Sequence, residues 1–186
     1  MRELALHVLD LLQNTVEAGA TRVEARIAED WAADCLRITV ADNGRGMDHE
    51  TAARAVDPFY TSRRTRHVGL GLPLLAAAAE RAGGSLVIRS EPGKGTTVEA
   101  VLQLSHPDRQ PLGNLADTLL AFLLSERAPD LNYVHATDRA LDGAPARFEF
   151  DSAAIRTVLG ELPLSYPAVQ RWLADFLTEG EESFHA

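Results

Sequence analysis

Two runs near the start of the chain, "RVEARIAED" (22–30) and "CLRITVAD" (35–42), alternate apolar and polar residues. A period of two reads as a pair of strands, each with one apolar face. That face needs a cover, and the flanking sequence offers helices. Residues Arg2 to Ala18 carry helical periodicity, with Gly19 placed as a C-terminal cap. His49 to Val56 favours helix, and "LPLLAAAAERAGG" reads as a helix ending at a glycine pair. "SLVIRSE" and "TTVEAVLQL" flank "PGKG", a strong hairpin signal. The order predicts an α/β fold, a two-layer sandwich in which helices cover one face of a mixed sheet.

Between the second and third helices, "DPFYTSRRTRHVGLG" mixes Pro, Gly and basic residues without periodicity and reads as a long functional loop. "SHPDRQP" then breaks the pattern. Beyond it lie a predicted helix (Leu112 to Ser125), two strand-like runs around "DGAP", a final helix (Tyr166 to Thr178) and an acidic tail. The division expected is a domain over 1–105 and a small C-terminal α/β extension over 106–186. Leu115, Leu119, Phe122 and Leu123 form an apolar stripe there, explained either by packing or by a docking surface for a protein partner.

The chain has 186 residues and a formal net charge of -9. An acidic surface argues against general binding to nucleic acid or anionic membranes. Cys35 is the single cysteine, so neither an internal disulfide framework nor a cysteine zinc cluster is available. No apolar run approaches membrane-spanning length and the first residues do not read as a signal peptide, so a soluble cytoplasmic protein is expected.

On the first helix, Glu3, His7, Asp10, Asn14 and Glu17 recur at intervals of four, three, four and three, a single polar stripe. It is either a solvated edge or the wall of a polar pocket. In a pocket, the Asp10 carboxylate could orient water and the Asn14 amide oxygen could ligate a hard cation such as Mg²⁺. "DNGRGM" begins at a strand end: an ordinary turn, or an Asp42 that accepts a hydrogen bond from an exocyclic amine beside two glycines that let the backbone turn sharply. "GLGLPL" takes Gly69 and Gly71 into a helix, where exposed amides can hold phosphate.

Taken together, in this order, these segments resemble the ATP-binding domain of the GHKL superfamily, or Bergerat fold, shared by DNA gyrase, heat-shock chaperones, sensor histidine kinases and MutL proteins. "DLLQNTVEAGAT" resembles the N box, nearest the MutL form, and "DNGRGM" the G1 box. "DPFYTSRR", "GLGL" and "SEPGKGTTVEAVL" resemble the F box, G2 box and closing hairpin of histidine kinases. The resemblance covers roughly Met1 to Leu104. It implies that Asn14 holds Mg²⁺ on the triphosphate, that Asp42 binds the adenine amine, and that Gly44 and Gly46 permit close approach of the nucleotide. It further implies that Phe59 anchors a lid and that Arg63, or else Arg64 or Arg66, meets the γ-phosphate. Gly69, Leu70 and Gly71 would present amides to phosphates, and Thr96 or Thr97 would lie near the adenine.

The sequence also departs from the family pattern. Asp10 stands where the MutL and gyrase branches carry a longer hydrolytic Glu. "HVGLGL" lacks the Thr common between the first two glycines in kinases. No separate helical hairpin with a phosphoacceptor His is read, and His7, inside the N-box helix, is taken as a supporting residue. The chain is therefore expected not to be a complete sensor histidine kinase. What the resemblance implies is a stand-alone, Mg²⁺-dependent ATP-binding protein with slow ATPase or protein-kinase activity in signal transduction. Asp10 would activate water or a partner's Ser or Thr hydroxyl. A non-catalytic ATP sensor is the alternative. The partners implied are ATP or ADP and an unidentified protein, with a homodimer left open.

Overall fold

The computed structural model describes residues 3–57, 71–140, 143–182 and 184. Its elements, in chain order, are α1 (Leu4–Glu17), β1 (Arg22–Asp30), β2 (Cys35–Asp42), α2 (His49–Arg54), α3 (Gly71–Arg81), β3 (Ser85–Glu91), β4 (Gly95–Gln103), α4 (Leu115–Leu123), β5 (Asp130–Thr137), β6 (Ala146–Asp151), α5 (Ser152–Leu159) and α6 (Pro167–Glu182). One six-stranded sheet runs in the order β3-β4-β2-β1-β5-β6. It is mixed: β1 and β5 pair in parallel, and the other neighbours are antiparallel.

The alternation in β1 and β2 does what a period of two requires. Val23, Ala25 and Ile27 are buried with Leu36, Ile38 and Val40, while Arg26 and Arg37 on the other face are exposed. Val98, Ala100 and Leu102 of β4 continue the buried face, and Leu131, Tyr133 and Phe150 carry it onto β5 and β6. Against it pack Leu4, Val8, Leu11 and Leu12 of α1, Leu75 and Ala79 of α3, Leu119 and Phe122 of α4, and Leu173 and Leu177 of α6. This is the expected α/β fold, a mixed sheet with helices packed on it.

The C-terminal strands join the same sheet by adding β5 to the free side of β1. The segment between β4 and α4 is tied down at both ends. Arg109 Nε donates to the Leu104 carbonyl at 2.7 Å. The Pro111 and Leu112 carbonyls accept from the Leu4 and Ala5 amides at 2.9 and 2.7 Å. These two bonds satisfy amides at the start of α1, whose N-cap Glu3 supplies no side-chain cap.

Two features of the C-terminal part differ from expectation. A short helix, α5, stands where none was predicted; Asp151 caps it by accepting from the Ala153 and Ala154 amides. And α6 continues past Thr178 through the acidic tail, because that tail carries a buried anchor. Glu181 accepts from Tyr133 Oη at 2.7 Å and bonds His135 Nδ1 at 2.9 Å, while His135 Nε2 meets Glu29 at 3.2 Å. Phe184 stacks on the imidazole, ring centroids 3.8 Å apart. Burial pushes the His135 imidazole down, but hydrogen bonds to Glu181 and Glu29 and their charges outweigh it and leave the pKa raised.

Candidate functional site

At one end of the buried sheet face the apolar residues give way to a polar row. Register places Asp42 beside Thr96 and Thr96 beside Ser90. Thr96 Oγ1 lies 2.8 Å from Ser90 Oγ, which donates to the Gly95 carbonyl at 3.0 Å and accepts from the Met47 amide at 2.8 Å. Ser90 thus fastens the end of "DNGRGM" to the sheet. Its role was not read from the sequence, although Leu86, Ile88 and Ser90 alternate onto one face and could have signalled it. Thr97 pairs with Ala41 and Arg89, so alternation turns it to the opposite face. Of the two threonines, the structure brings Thr96 to Asp42 and not Thr97.

The turn itself is held on three sides. Gly44 donates its amide to Asp42 Oδ1 at 2.7 Å, and a Cβ there would sit 2.7 Å from the Ala18 Cβ at the end of α1. Gly46 has φ 64° and a Cβ on it would collide with the Glu91 carbonyl, so only glycine fits. The Arg45 amide and guanidinium donate to the Ala18 and Glu17 carbonyls at 2.9 and 2.7 Å. Asn43 Oδ1 accepts from the Thr21 and Arg22 amides, clamping the turn to the start of β1. Burial pushes the Asp42 carboxyl above its ordinary value, against the opposing pull of the Gly44 and Thr96 backbone N–H groups. A half-buried carboxylate aligned by backbone donors, with acceptor capacity beyond two bonds, suits recognition of an N–H donor.

The polar stripe of α1 is graded, not uniformly solvated: Glu17 is exposed, Asp10 and Asn14 are half-buried, and His7 is 2% exposed. His7 Nε2 lies 3.1 Å from Gln110 Oε1, while its buried Nδ1 has no hydrogen-bond partner among the described residues. Burial lowers the imidazole pKa, so His7 is a neutral interior group. Asp10 meets the first residue of α3: a Cβ on Gly71 would stand 3.0 Å from Asp10 Oδ2 and 3.1 Å from its Cβ. A helix N-terminus, with its outward amides and positive dipole end, is thereby set against a carboxylate. The absence of a side chain at Gly71 is what permits the approach.

Phe59, Arg63, Gly69 and Leu70 lie outside the described residues, as do Arg64, Arg66 and most of the expected lid. His106 and Arg109 serve the turn after β4: His106 Nδ1 accepts from the Asp108 amide, and Arg109 bonds backbone carbonyls. Among the described residues, no group of three or more His, Cys, Asp or Glu could hold a metal by itself. No helix among them is long and apolar enough to cross a membrane.

A family model described as "Histidine kinase-, DNA gyrase B-, and HSP90-like ATPase" matches residues 2–106, more than half of the chain. The chain belongs to this family. Within it, the chain is 40% identical over 97 residues to the sensor protein kinase FleS of Pseudomonas aeruginosa, a match covering 52% of this chain and 24% of that protein. It is 39% identical over 88 residues to the DNA mismatch repair protein MutL of Thermus aquaticus, covering 46% and 16%. The chain therefore spans a quarter or less of the length of these relatives. A crystal structure of the N-terminal domain of a DNA repair protein superposes with a TM-score of 0.56 at 16% identity, covering 81% of this chain and 53% of that one; it speaks for the fold alone.

Proposed function

We propose that the chain is a Mg²⁺-dependent ATP-binding protein with slow ATPase or protein-kinase activity directed at a protein partner. In this reading the unit over 1–105 binds nucleotide and the 106–186 extension docks the partner. The observation that carries it is Asp42: a carboxylate half-buried at the end of β2, aligned by Gly44 and braced by the Thr96–Ser90 pair. It accepts the adenine exocyclic amine. Gly44 and Gly46 keep the turn thin enough for the nucleotide to lie against it.

The phosphates lie toward the first turn of α3, whose leading amides, from Gly71 onward, have no partner within the helix. Asn14, a half-buried hard-oxygen donor one helical turn from Asp10, fits a cation that takes its remaining ligands from phosphate and water. When bound, Mg²⁺ neutralises charge on the triphosphate. Asp10, lodged beside Gly71, takes the proton from the attacking oxygen. That oxygen, from water or from a partner's hydroxyl, bonds the γ-phosphorus as the bond to the ADP oxygen breaks. The similarity to a sensor kinase over the same segment supports transfer, and that to MutL supports hydrolysis.

Calorimetry with ATP, with and without Mg²⁺, tests the binding. Single-turnover incubation with γ-labelled ATP tests the chemistry, expecting label in phosphate or on a captured partner. Binding with ATP returned intact would reject both activities and leave a sensor.

A further inference from the structure

The geometry points to a docking groove between α5 and α6 for an amphipathic helical segment of a protein partner, with apolar anchors on one edge and Lys or Arg along its flanks. This deepens the reading above, in which the C-terminal extension engages a partner.

The groove has a volume of about 410 Å³ and is lined by Ala154, Ile155, Val158 and Leu159 of α5 and Trp172 of α6. Its lining is wholly apolar, with no polar group to orient a small molecule, which argues for side-chain anchors. Val158 is 87% exposed and Trp172 47%, and Leu162 beside the end of α5 is 50% exposed. Large apolar side chains gathered at one exposed place, rather than scattered singly over the surface, favour an interaction site. The local sequence also builds the groove rigidly: Asp151 caps α5, and Trp172 stacks on Phe176, which reaches Phe148 and Phe150 of β6. A groove formed by two fixed helices is the receptor for a third.

Charge chooses the occupant. Asp175 and Glu179 follow Trp172 at i+3 and i+7, so the stripe of α6 that borders the groove continues as exposed carboxylates. Glu161, just past the end of α5, adds a third. Arg156 of α5 is paired with Asp130 at 3.3 Å, and the exposed Arg171 beside Trp172 stands against the three carboxylates Glu161, Asp175 and Glu179, so the charge around the groove is net acidic. A second copy of this chain seated on the same groove by a two-fold axis would set these carboxylates against each other. A basic-flanked helix gains from them instead, in encounter rate and in selectivity.

The test uses the full chain and a designed helical 16-mer with Leu or Phe at i, i+3, i+4 and i+7 and Lys on both flanks. The same peptide with Glu flanks is the control. Binding is followed by Trp172 fluorescence, with Trp31→Phe removing the other indole. Expected are a blue shift with the Lys peptide only, at least about tenfold weaker binding in Val158→Asp, and a similar loss in Asp175→Lys/Glu179→Lys. Val158 is too exposed for its replacement to threaten folding, and an unchanged melting temperature verifies this. Equal binding of both peptides, no binding of either, or a concentration-dependent dimer that Val158→Asp abolishes would overturn the proposal. ATP affinity measured on the same Val158→Asp protein keeps the questions apart. Peptide binding by a chain that fails to bind ATP leaves the groove standing and removes the nucleotide reading.

Discussion

Replacing Asp42 with Asn separates recognition from folding in a way the local geometry makes quantitative. The Gly44 amide donates to Asp42 Oδ1 at 2.7 Å. That donor fixes the orientation of the substituted amide: Asn keeps its oxygen on Gly44, which turns its NH₂ toward the place of the adenine amine. A charge-assisted acceptor is lost and a donor faces a donor. Together these cost about 3–4 kcal/mol, a 10²- to 10³-fold rise in the Kd for ATP. Stability should move the other way. Burial raises the Asp42 pKa above its ordinary 3.8, so the fold disfavours the ionised form. The raised pKa means stability is lost as pH climbs through it, and the neutral Asn escapes that loss. At neutral pH Asp42→Asn should therefore melt at the wild-type temperature or above, with the difference closing in acid. Calorimetry for ATP and a thermal melt across pH check both halves. Wild-type affinity would refute the adenine role. A loss of affinity matched by a loss of melting temperature would show that Asp42 holds the turn instead.

Asn14→Ala should leave ATP affinity in EDTA unchanged while abolishing the gain from Mg²⁺, read by calorimetry in the two buffers. Asp10→Asn should bind ATP and Mg²⁺ normally but lose roughly 10²–10⁴-fold in single-turnover rate; unchanged turnover would end its role as base, and Asp10→Glu should raise hydrolysis by restoring reach. Ser90→Ala leaves the Met47 amide without its acceptor and should cost about 1–3 kcal/mol of stability by denaturant titration, with weaker ATP binding. The His135 pKa is raised, so its contribution to stability is full below about 6.5 and falls as pH rises through the raised value; melting curves from pH 5 to 9 should show this slope and lose it in His135→Gln.

What could be read from the sequence was whatever is local and periodic. The alternation in β1 and β2 and the stripe on α1 are one-dimensional patterns, and each maps directly onto a face. The glycines of "DNGRGM" were legible for the same reason, since their constraint is a backbone one. Ser90 was not, because its meaning comes from a cross-strand neighbour and from Met47, 43 residues away. The choice between Thr96 and Thr97 needed the register of β4 against β2, which no single-strand pattern supplies. The acidic end of α6 was misread as a tail because Glu181 looks solvated until Tyr133 and His135 are placed beside it. α5 was missed because Ile155, Thr157 and Val158 are β-branched, weak helix formers, and its one buried residue is Ser152, so it shows no apolar stripe that turns inward.

The parallel pairing of β1 with β5 joins Arg22 to Asp130. Such a contact closes a long loop before it returns any energy, and high contact order of this kind slows folding. On a ribosome the N-terminal helix and β1 emerge early, yet the carbonyls that satisfy the first amides of α1 belong to Pro111 and Leu112. Until that later segment arrives, β1 presents an unpaired edge and α1 an unfinished start. A nascent chain halted near residue 105 would thus expose a strand edge that other chains can extend, and truncation there is expected to give aggregation before it gives a smaller soluble domain.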